Sequence, residues 1–346
     1  MTSDKLLQVS NLEVSFNTYA GEVQAVRGVT WDLYERETIA IVGESGCGKT
    51  VSIQTAMGLL QKPGGFIKSG KLLYRGADIT AYSDQQWRRI QGNEMTMIFQ
   101  DPLTYLNPTM RVGDQIAEGY LEHHPEKTKD QAVARVLEIM NMVSLPNPEY
   151  NMLSYPHQLS GGMRQRVMVA MALICEPRIL FADEPTTALD VTIQAQIIDL
   201  MKDLQEKINT AIVLITHDLG VVANMAERIY VMYAGKIVEH ADALTLFSKA
   251  RHPYTWGLLA SVPRLDLEEK ADLYSIKGTP PNLLDPPPGC PFAARCSYAM
   301  HICAETPPEI HKFAEEEHFA TCWLYDPRAQ KRLREADSKR GLSQHE

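Results

Sequence analysis

The sequence lacks any uninterrupted apolar run near the roughly 18 residues that a membrane-spanning helix requires. Residues 1–8 contain no apolar core of the kind found in signal peptides. Basic residues are also in the minority, with 34 Lys and Arg against 43 Asp and Glu and a net charge of -9. We therefore expect a cytosolic protein that can dock on a membrane protein. A dedicated nucleic-acid binder is not expected, because it would carry a basic excess.

Cysteine is scarce, with six in 346 residues, and a cytosolic chain is not expected to pair them as disulfides. Four of the six gather near the C-terminus without a C-x-x-C pair, the spacing that zinc sites usually contain. Four thiolates are also the ligand set of an iron–sulfur cluster. The spacing alone leaves open a cluster, a zinc site and reduced, unligated cysteines. These four are Cys290, Cys296, Cys303 and Cys322.

A glycine-rich segment between a predicted strand and a predicted helix organises the chain. The apolar run at residues 39–42 predicts a buried strand, and residues 51–60 can continue as a helix. In this context G-x-x-x-x-G-K-[ST] predicts a phosphate site, because backbone N–H groups and the helix N-terminus point at the anion. Lys49 supplies a charge for the β- and γ-phosphates, and Thr50 supplies a hydroxyl ligand for Mg²⁺. The segment consists of Gly43, Glu44, Ser45, Gly46, Cys47, Gly48, Lys49 and Thr50.

Ionisable side chains follow two further predicted strands. The apolar run at residues 179–182 ends at Asp183 and Glu184, and the run at residues 211–215 ends just before His217. Ligands of open α/β sheets bind at the carboxyl ends of the strands. We expect Asp183 to hold Mg²⁺ through water, Glu184 to polarise a water beside the γ-phosphate, and His217 to lie at the same edge.

A second anion-binding arrangement precedes the helix predicted at residues 163–175. Ser160 is an expected N-cap, and Gly161 and Gly162 leave backbone N–H groups exposed at the helix start. Simple helix capping explains this isolated motif equally well.

Five motifs stand in one order along residues 1 to about 250: GESGCGKT, Gln100, LSGGM, ILFADE and His217. This order and spacing resembles the nucleotide-binding subunits of ABC transporters. The resemblance implies that Gln100 contacts Mg²⁺ and water and couples to a membrane partner. It also implies that His217 contacts the γ-phosphate, beside a Mg²⁺ site formed by Thr50, Gln100 and Asp183.

The same resemblance assigns the remaining nucleotide contacts. Ser160, Gly161 and Gly162 match the signature loop, which completes the ATP site of the opposite subunit, and Asp190 matches the D-loop. The residues that the resemblance assigns to ATP binding also include Val51, which directly follows the glycine-rich segment. The aromatic that stacks on adenine is matched by Phe16, with Tyr19 as the alternative. Met163 departs from the commoner glutamine of LSGGQ, and no loss of function is expected, because the serine and the glycine N–H groups face the phosphate.

The subfamily is also indicated by sequence. The run from Gln100 to Pro108, the run LSGGMRQRV, and Arg251-His252-Pro253-Tyr254-Thr255 resemble the D-type ATPases of oligopeptide/dipeptide permeases. This resemblance implies two transmembrane permease subunits, a sister ATPase that forms a heterodimer, an extracellular peptide-binding protein, and a position on the cytoplasmic face of the membrane. Relatives in the group also move nickel or other small solutes, which leaves a nickel importer as the alternative.

The D-type peptide ATPases also carry a [4Fe–4S] cluster in their C-terminal extension. The resemblance therefore favours a cluster held by Cys290, Cys296, Cys303 and Cys322, with zinc as the alternative. No redox partner motif is present, which favours a structural role. Because the cysteines lie far in sequence from the ATP motifs, loss of the metal is expected to affect stability and assembly before nucleotide chemistry.

The predicted architecture is α/β: a P-loop NTPase of ABC type with a RecA-like core, an antiparallel β-subdomain and a helical subdomain at about 101–155. The nucleotide-binding domain is predicted at 1–250, and a small cysteine-ligated extension at 251–346. A soluble ABC ATPase of DNA repair or translation would show a second cassette, basic arms or zinc-finger pairs, and the sequence contains none of these. A regulatory module without turnover is disfavoured by Glu184 and His217.

Overall fold

The computed structural model describes residues 5–100, 102–187, 190–262, 275–314 and 317–339. The strands of these residues are β1 Lys5–Thr18, β2 Gly21–Tyr34, β3 Thr38–Val42, β4 Gly65–Tyr74, β5 Ala77–Asp78, β6 Met95–Ile98, β7 Ile179–Asp183, β8 Ala211–Thr216, β9 Arg228–Tyr233, β10 Lys236–Asp242, β11 Ile310–Lys312 and β12 Phe319–Thr321. The α-helices are α1 Lys49–Ala56, α2 Asp84–Ile90, α3 Pro102–Tyr105, α4 Val112–His123, α5 Lys129–Met142, α6 Pro148–Asn151, α7 Gly161–Leu173, α8 Val191–Ile208, α9 Leu219–Met225, α10 Ala243–Lys249, α11 Pro253–Ala260, α12 His301–Glu305 and α13 Gln330–Lys339.

A four-stranded antiparallel sheet in the order β2-β1-β4-β5 covers one side of the protein. Its inward residues alternate along the strands, as at Leu7 and Val9 of β1 and at Val29 and Trp31 of β2, all of which are buried. The predicted antiparallel β-subdomain is confirmed. Strand β4 runs from Gly65 to Tyr74 and pairs with β1.

The main sheet has the order β11-β12-β10-β9-β3-β8-β7-β6. From β9 to β6 the strands are parallel, and every residue of β3, β6, β7 and β8 is buried. Continuous apolar runs are typical of parallel strands covered on both faces. The α/β core predicted from the sequence is therefore confirmed.

Helices α3 to α6 form the insertion predicted at about 101–155, although Asp101 itself lies outside the described residues. Thr128 and Gln131 form a capping box that starts α5. Val136 and Met140 of α5 are fully buried, in a cluster that also contains residues of α4 and α7. Val133, on the same helix, is 42% exposed.

The C-terminal extension is continuous with the main sheet. Strand β12 pairs antiparallel with β10, and β11 pairs with β12. Sequence analysis predicted a small extension after residue 250 but no strands within it. Apolar side chains of the extension, Phe292 among them, pack against Tyr233 of β9 and Tyr254 of α11. Of the charged tail, residues 330–339 form α13, and residues 340–346 lie outside the described part of the chain.

A buried carboxylate joins the extension to the sheet. Glu239 of β10 is completely buried and accepts hydrogen bonds from the backbone N–H groups of Arg251 and His252. Its Oε1 also lies 3.0 Å from Nε2 of His318, another fully buried side chain. A buried charge is tolerated only where it is paired and hydrogen-bonded, as here.

Glu239→Ala is therefore expected to lower the free energy of unfolding by about 3 kcal/mol, because it leaves two N–H groups and an imidazole buried without their acceptor. The measurement is urea denaturation of the full chain. Glu305→Ala is the matched control, since Glu305 forms an exposed pair with His301 in the same extension. Equal effects of the two substitutions would contradict this account of Glu239.

Candidate functional site

The loop between β3 and α1 is held tightly by its surroundings. Gly43 has φ 153°, and a Cβ at this position would lie 2.1 Å from the carbonyl oxygen of Met232. Gly48 has φ 100°, and a Cβ there would lie 2.3 Å from the carbonyl oxygen of Ala25. The hairpin between β9 and β10 adds a hydrogen bond from Gly235 N to Cys47 O at 2.9 Å. Only glycine fits at these two positions, so the backbone path of the loop depends on both glycines.

Lys49 begins α1 and is buried, with 5% of its surface exposed. Its ammonium donates to the carbonyl oxygens of Gly43 at 2.8 Å and Glu44 at 3.0 Å. The charge is thus enclosed by its own loop, where an incoming anion would meet it. The neighbouring Cys47 is also buried, and burial raises the pKa of its thiol.

Thr50 and Asp183 meet at the edge of the sheet. Thr50 Oγ1 donates to Asp183 Oδ1 at 3.0 Å, across 133 residues of sequence. Burial raises the pKa of Asp183, as does the neighbouring Glu184 charge, while the Thr50 hydrogen bond and Lys49 oppose the shift. Two oxygen donors beside a buried ammonium form the kind of set that a hard cation with phosphate ligands prefers.

Glu184 is the centre of a group of polar side chains that converge from three strand ends. Its Oε2 accepts from Gln100 Nε2 at 2.8 Å and from Thr187 Oγ1 at 3.0 Å, and its Oε1 lies 3.3 Å from Nδ1 of His217. The backbone of Glu184 is left-handed, with φ 46°, and its N–H donates to Ile215 O at 2.8 Å. A side chain held in this unfavourable backbone conformation is typical of a functional site.

The signature residues lie on a separate element. Ser160 caps α7 by accepting from Met163 N at 3.3 Å, and Gly162 packs against Ile193 of α8. Asp190 caps α8 by accepting from Ile193 N at 3.0 Å, whereas residues 188–189 of the same motif lie outside the described residues. Over the described ranges, no hydrogen bond joins residues 160–162 to residues 43–50 of the same chain.

The two candidate adenine-stacking aromatics differ in exposure. Phe16, near the end of β1, packs against the apolar core and pairs with Gly65 of β4. Tyr19 lies in the turn between β1 and β2 and is fully exposed. An exposed ring offers both faces to a base, so Tyr19 has the freer stacking surface. The assignment of the adenine contact stays a prediction.

Sequence reasoning missed the contacts that Glu44 makes with the extension. The N–H of Glu44 donates to the hydroxyl of Tyr254 at 2.8 Å, and its carboxylate is paired with the guanidinium of Arg295 at 2.6 and 3.0 Å. The Arg251–Thr255 run indicates the subfamily in the sequence. Its tyrosine, Tyr254, is the one local signal of a contact with Glu44. Nothing in the local pattern around Arg295 indicates a partner 251 residues away.

The four clustered cysteines lie in one part of the extension. The N–H of Cys290 donates to the carbonyl of Cys303 at 2.7 Å, and both residues belong to one buried cluster, against which Cys296 packs. Backbone N–H groups point at two of the sulfurs, from Tyr298 to Cys296 and from Met300 to Cys303, each at 3.4 Å.

The ionisation of these thiols reflects their burial. Burial raises the pKa of Cys290 to about 12 and that of Cys296 to about 11, and it raises the pKa of Cys322 as well. A thiolate at Cys322 would also be opposed by the other three cysteines. Among the residues that the structure describes, no three Cys, His, Asp or Glu side chains are close enough to hold a metal ion.

Two protein-family models match the chain. The model described as "ABC transporter" matches residues 26–187, and the model described as "Oligopeptide/dipeptide transporter, C-terminal region" matches residues 238–303. The second match covers Arg251 and His252, which contact Glu239, and three of the four clustered cysteines.

Curated relatives are similar over almost the whole chain. "Dipeptide transport ATP-binding protein DppD" of Bacillus subtilis is 53% identical over 97% of this chain and 99% of its own length. "Oligopeptide transport ATP-binding protein OppD" of the same organism is 53% identical over 94% of this chain and 91% of its own. The OppD protein of Escherichia coli is 47% identical over 88% of this chain and 90% of its own.

A solved structure supports the same fold. The dimeric ATP-binding cassette MJ0796, in a post-hydrolysis state bound to ADP and Pi, is 25% identical with a TM-score of 0.62. The match covers 68% of this chain and 98% of that one. The part of the present chain outside this match is close in size to the extension.

Proposed function

The chain belongs to the ABC transporter family, in the group that contains the dipeptide and oligopeptide transport ATP-binding proteins, and from this we propose that it is the ATP-hydrolysing subunit of a peptide importer. One observation carries the proposal. Lys49, the Thr50–Asp183 pair and Glu184 meet at one edge of the parallel sheet, as a nucleotide site requires.

Each residue of the proposed site has a role that follows from its position. Lys49 and the loop N–H groups would bind the β- and γ-phosphates, in place of the carbonyl partners that Lys49 now has. Thr50 and Asp183 would hold Mg²⁺, with Gln100 beside them, and the metal would neutralise charge on the phosphates. Glu184, oriented by Gln100, Thr187 and His217, would align a water for attack on the γ-phosphorus and draw its proton.

Peptides are the proposed cargo because two observations agree. The two Bacillus subtilis relatives at 53% identity are dipeptide and oligopeptide transport proteins, and the C-terminal model that matches is the peptide-transporter one. The alternative cargo is nickel or another small solute, which related importers also carry. No residue of the site distinguishes these cargoes, since the ATPase subunit acts on nucleotide.

The active unit is proposed to be two ATPase subunits in head-to-tail contact. Within the described part of the chain, the loop at 43–50 and the loop at 160–162 are not hydrogen-bonded to each other, so each offers one part of a phosphate shell. Ser160 of one subunit would then face the nucleotide held by Lys49 of the other. The similar cassette MJ0796 is a dimer. A sister ATPase is the proposed partner.

The membrane partners are proposed to be two permease subunits, fed by an extracellular peptide-binding protein. No helix among the described residues is long and apolar enough to cross a membrane. An apolar groove of about 270 Å³ beside Gln100 is lined by residues of both subdomains, including Phe99, Tyr105 and Met171. Phe99 and Tyr105 stack at 4.2 Å, and Tyr105 is half exposed. This groove suits a short apolar helix of a permease, which would place the chain at the cytoplasmic face of the membrane.

A [4Fe–4S] cluster is the proposed occupant of the cysteine site. Cys290 and Cys303 are buried in one cluster against which Cys296 packs, and the sulfurs of Cys296 and Cys303 accept backbone N–H bonds of the kind that stabilise thiolate ligands. Zinc would require four sulfurs at about 2.3 Å from a single ion, whereas a cluster spaces its ligands more widely. When bound, the cluster would tie together the loops around Cys290, Cys296, Cys303 and Cys322.

Glu184→Gln is expected to lower ATP hydrolysis by at least about 100-fold while Mg-ATP still binds, because the group that orients water is lost and the phosphate contacts remain. Phosphate release and calorimetric nucleotide binding measure the two effects separately. Lys49→Ala should instead weaken binding. Glu176→Gln, at an exposed ion pair with Arg135, is the matched control. Hydrolysis by Glu184→Gln close to wild type would refute the assigned role.

Hydrolysis should depend on subunit association. The isolated chain is expected to turn over slowly, with a specific rate that rises with concentration or with added sister ATPase, because Ser160–Gly162 must reach a second subunit. Rate measurements over a hundredfold range of chain concentration test this expectation. A concentration-independent rate that the sister subunit does not raise would exclude the head-to-tail site.

Anaerobically purified protein is expected to be brown, with about four iron and four sulfide per chain. Cys296→Ser should lose the colour and lower the stability of the extension. Cys175→Ser is the matched control, because Cys175 follows α7 and contacts Gly119 of α4, outside the cysteine cluster. One zinc per colourless chain would replace the cluster with a zinc site, and metal-free protein with an ordered extension would exclude both.

A further inference from the structure

The contact between Glu44 and the extension involves both the main chain and the side chain of this loop residue. Tyr254 is fully buried, and its hydroxyl accepts a hydrogen bond from the Glu44 N–H. Arg295 is nearly as enclosed, with 6% of its side chain exposed, and it contacts both carboxylate oxygens of Glu44. Glu44 is thus fixed from outside the phosphate loop at three atoms.

Arg295 is itself anchored on several sides. Its guanidinium donates to the Tyr233 hydroxyl at 3.1 Å and to the carbonyl oxygens of Ile276 and Lys277 at 3.1 and 2.9 Å. The bidentate ion pair therefore has little freedom to reorient, and the planar fork of arginine is what satisfies all of these acceptors at once. An anchored cation of this kind can fix the position of the loop it contacts.

The fixed residue is directly connected to the phosphate-binding ammonium. Lys49 Nζ donates to the carbonyl oxygens of Gly43 and Glu44, and Glu44 is the residue that Tyr254 holds by its N–H and Arg295 holds by its carboxylate. A cleft of about 460 Å³ beside this loop has Gly43, Glu44 and His217 on one side and Leu258 and Ile276 of the extension on the other. The extension therefore forms one wall beside the proposed nucleotide site.

We propose that Arg295 is a positioning residue for nucleotide binding: through Glu44 it sets the course of the phosphate loop and neutralises the one carboxylate within that loop. The inference rests on the proposed ATP site. Loss of Arg295 would leave a carboxylate unpaired in the loop that surrounds a triphosphate, and it would loosen the loop whose N–H groups bind the phosphates. Both effects weaken nucleotide binding. The extension thereby controls the affinity of the site, in addition to stabilising the fold.

Arg295→Ala in the full chain is expected to weaken Mg-ATP binding by about tenfold, measured by isothermal titration. Arg328→Ala is the matched control, because Arg328 forms a bidentate pair with Asp326 in the same extension, away from the phosphate loop. Arg295→Lys should restore only part of the affinity, since lysine keeps the charge and loses the fork. Wild-type affinity in Arg295→Ala would overturn the proposal.

Glu44→Gln breaks the same ion pair and leaves the extension intact, so hydrogen exchange in this variant still tests the proposal if Arg295→Ala does not fold. The double variant Arg295→Ala/Glu44→Gln should bind Mg-ATP no more weakly than Arg295→Ala alone, because the two residues act as one unit. Effects that multiply in the double variant would show that Arg295 acts independently of Glu44, and that result would also overturn the proposal.

Hydrogen exchange separates this inference from the ATP assignment. Without nucleotide, Arg295→Ala or Glu44→Gln should speed exchange at the amides of residues 44–48, while Arg328→Ala should not. With Mg-ATP, the wild-type chain should show slower exchange at residues 293–303, since coupling between two sites is reciprocal. Unchanged loop exchange in both variants overturns the inference. A chain with the expected exchange that fails to bind Mg-ATP instead contradicts the proposed function.

Discussion

The hydrogen bond between Thr50 and Asp183 depends on the parallel pairing of three strands. Strand β3 pairs with β8 and β8 pairs with β7 in continuous register, so Val42, Asp183 and Thr216 end at one edge of the sheet. The loop after β3, the acid at the end of β7 and the histidine after β8 are brought together by that register alone. A one-residue slip of β7 would turn Asp183 to the opposite face.

The same sheet explains why the extension reaches the phosphate loop. Strands β10 and β12 lie beyond β9 on the side away from β7, and Tyr254 and Arg295, which lie between these two strands in sequence, both contact Glu44. Glu239 and His318 fix the extension to β10, and Arg295 fixes it to Glu44. Stability and nucleotide binding are therefore joined in one set of contacts. The cysteine-containing segment was expected to affect stability before nucleotide chemistry. The structure adds a direct connection between this segment and the phosphate loop.

Much of the core could be predicted because its signals are local. Each strand that ends in the site is a short apolar run followed at once by a polar or glycine residue, as at Asp183 and His217. The capping residue Ser160 was also predicted from a local pattern, whereas the N-cap that Asp190 provides for α8 was not predicted. The strands β11 and β12 were missed, since each has only three residues, and the pairing of β12 with β10 depends on contacts about 80 residues apart. The Arg295–Glu44 pair was missed for the same reason, because no sequence pattern specifies an ion pair across 251 residues.

The central claim is that ATP bound at this sheet edge drives the import of peptides. Reconstitution of the chain with its sister ATPase and two permease subunits in proteoliposomes tests it directly, with ATP inside and binding protein plus labelled dipeptide, oligopeptide or nickel outside. We expect peptide to accumulate inside only when hydrolysable ATP is present. Accumulation of nickel but not of peptide would show that nickel is the cargo. Peptide accumulation that does not need ATP would contradict the account itself.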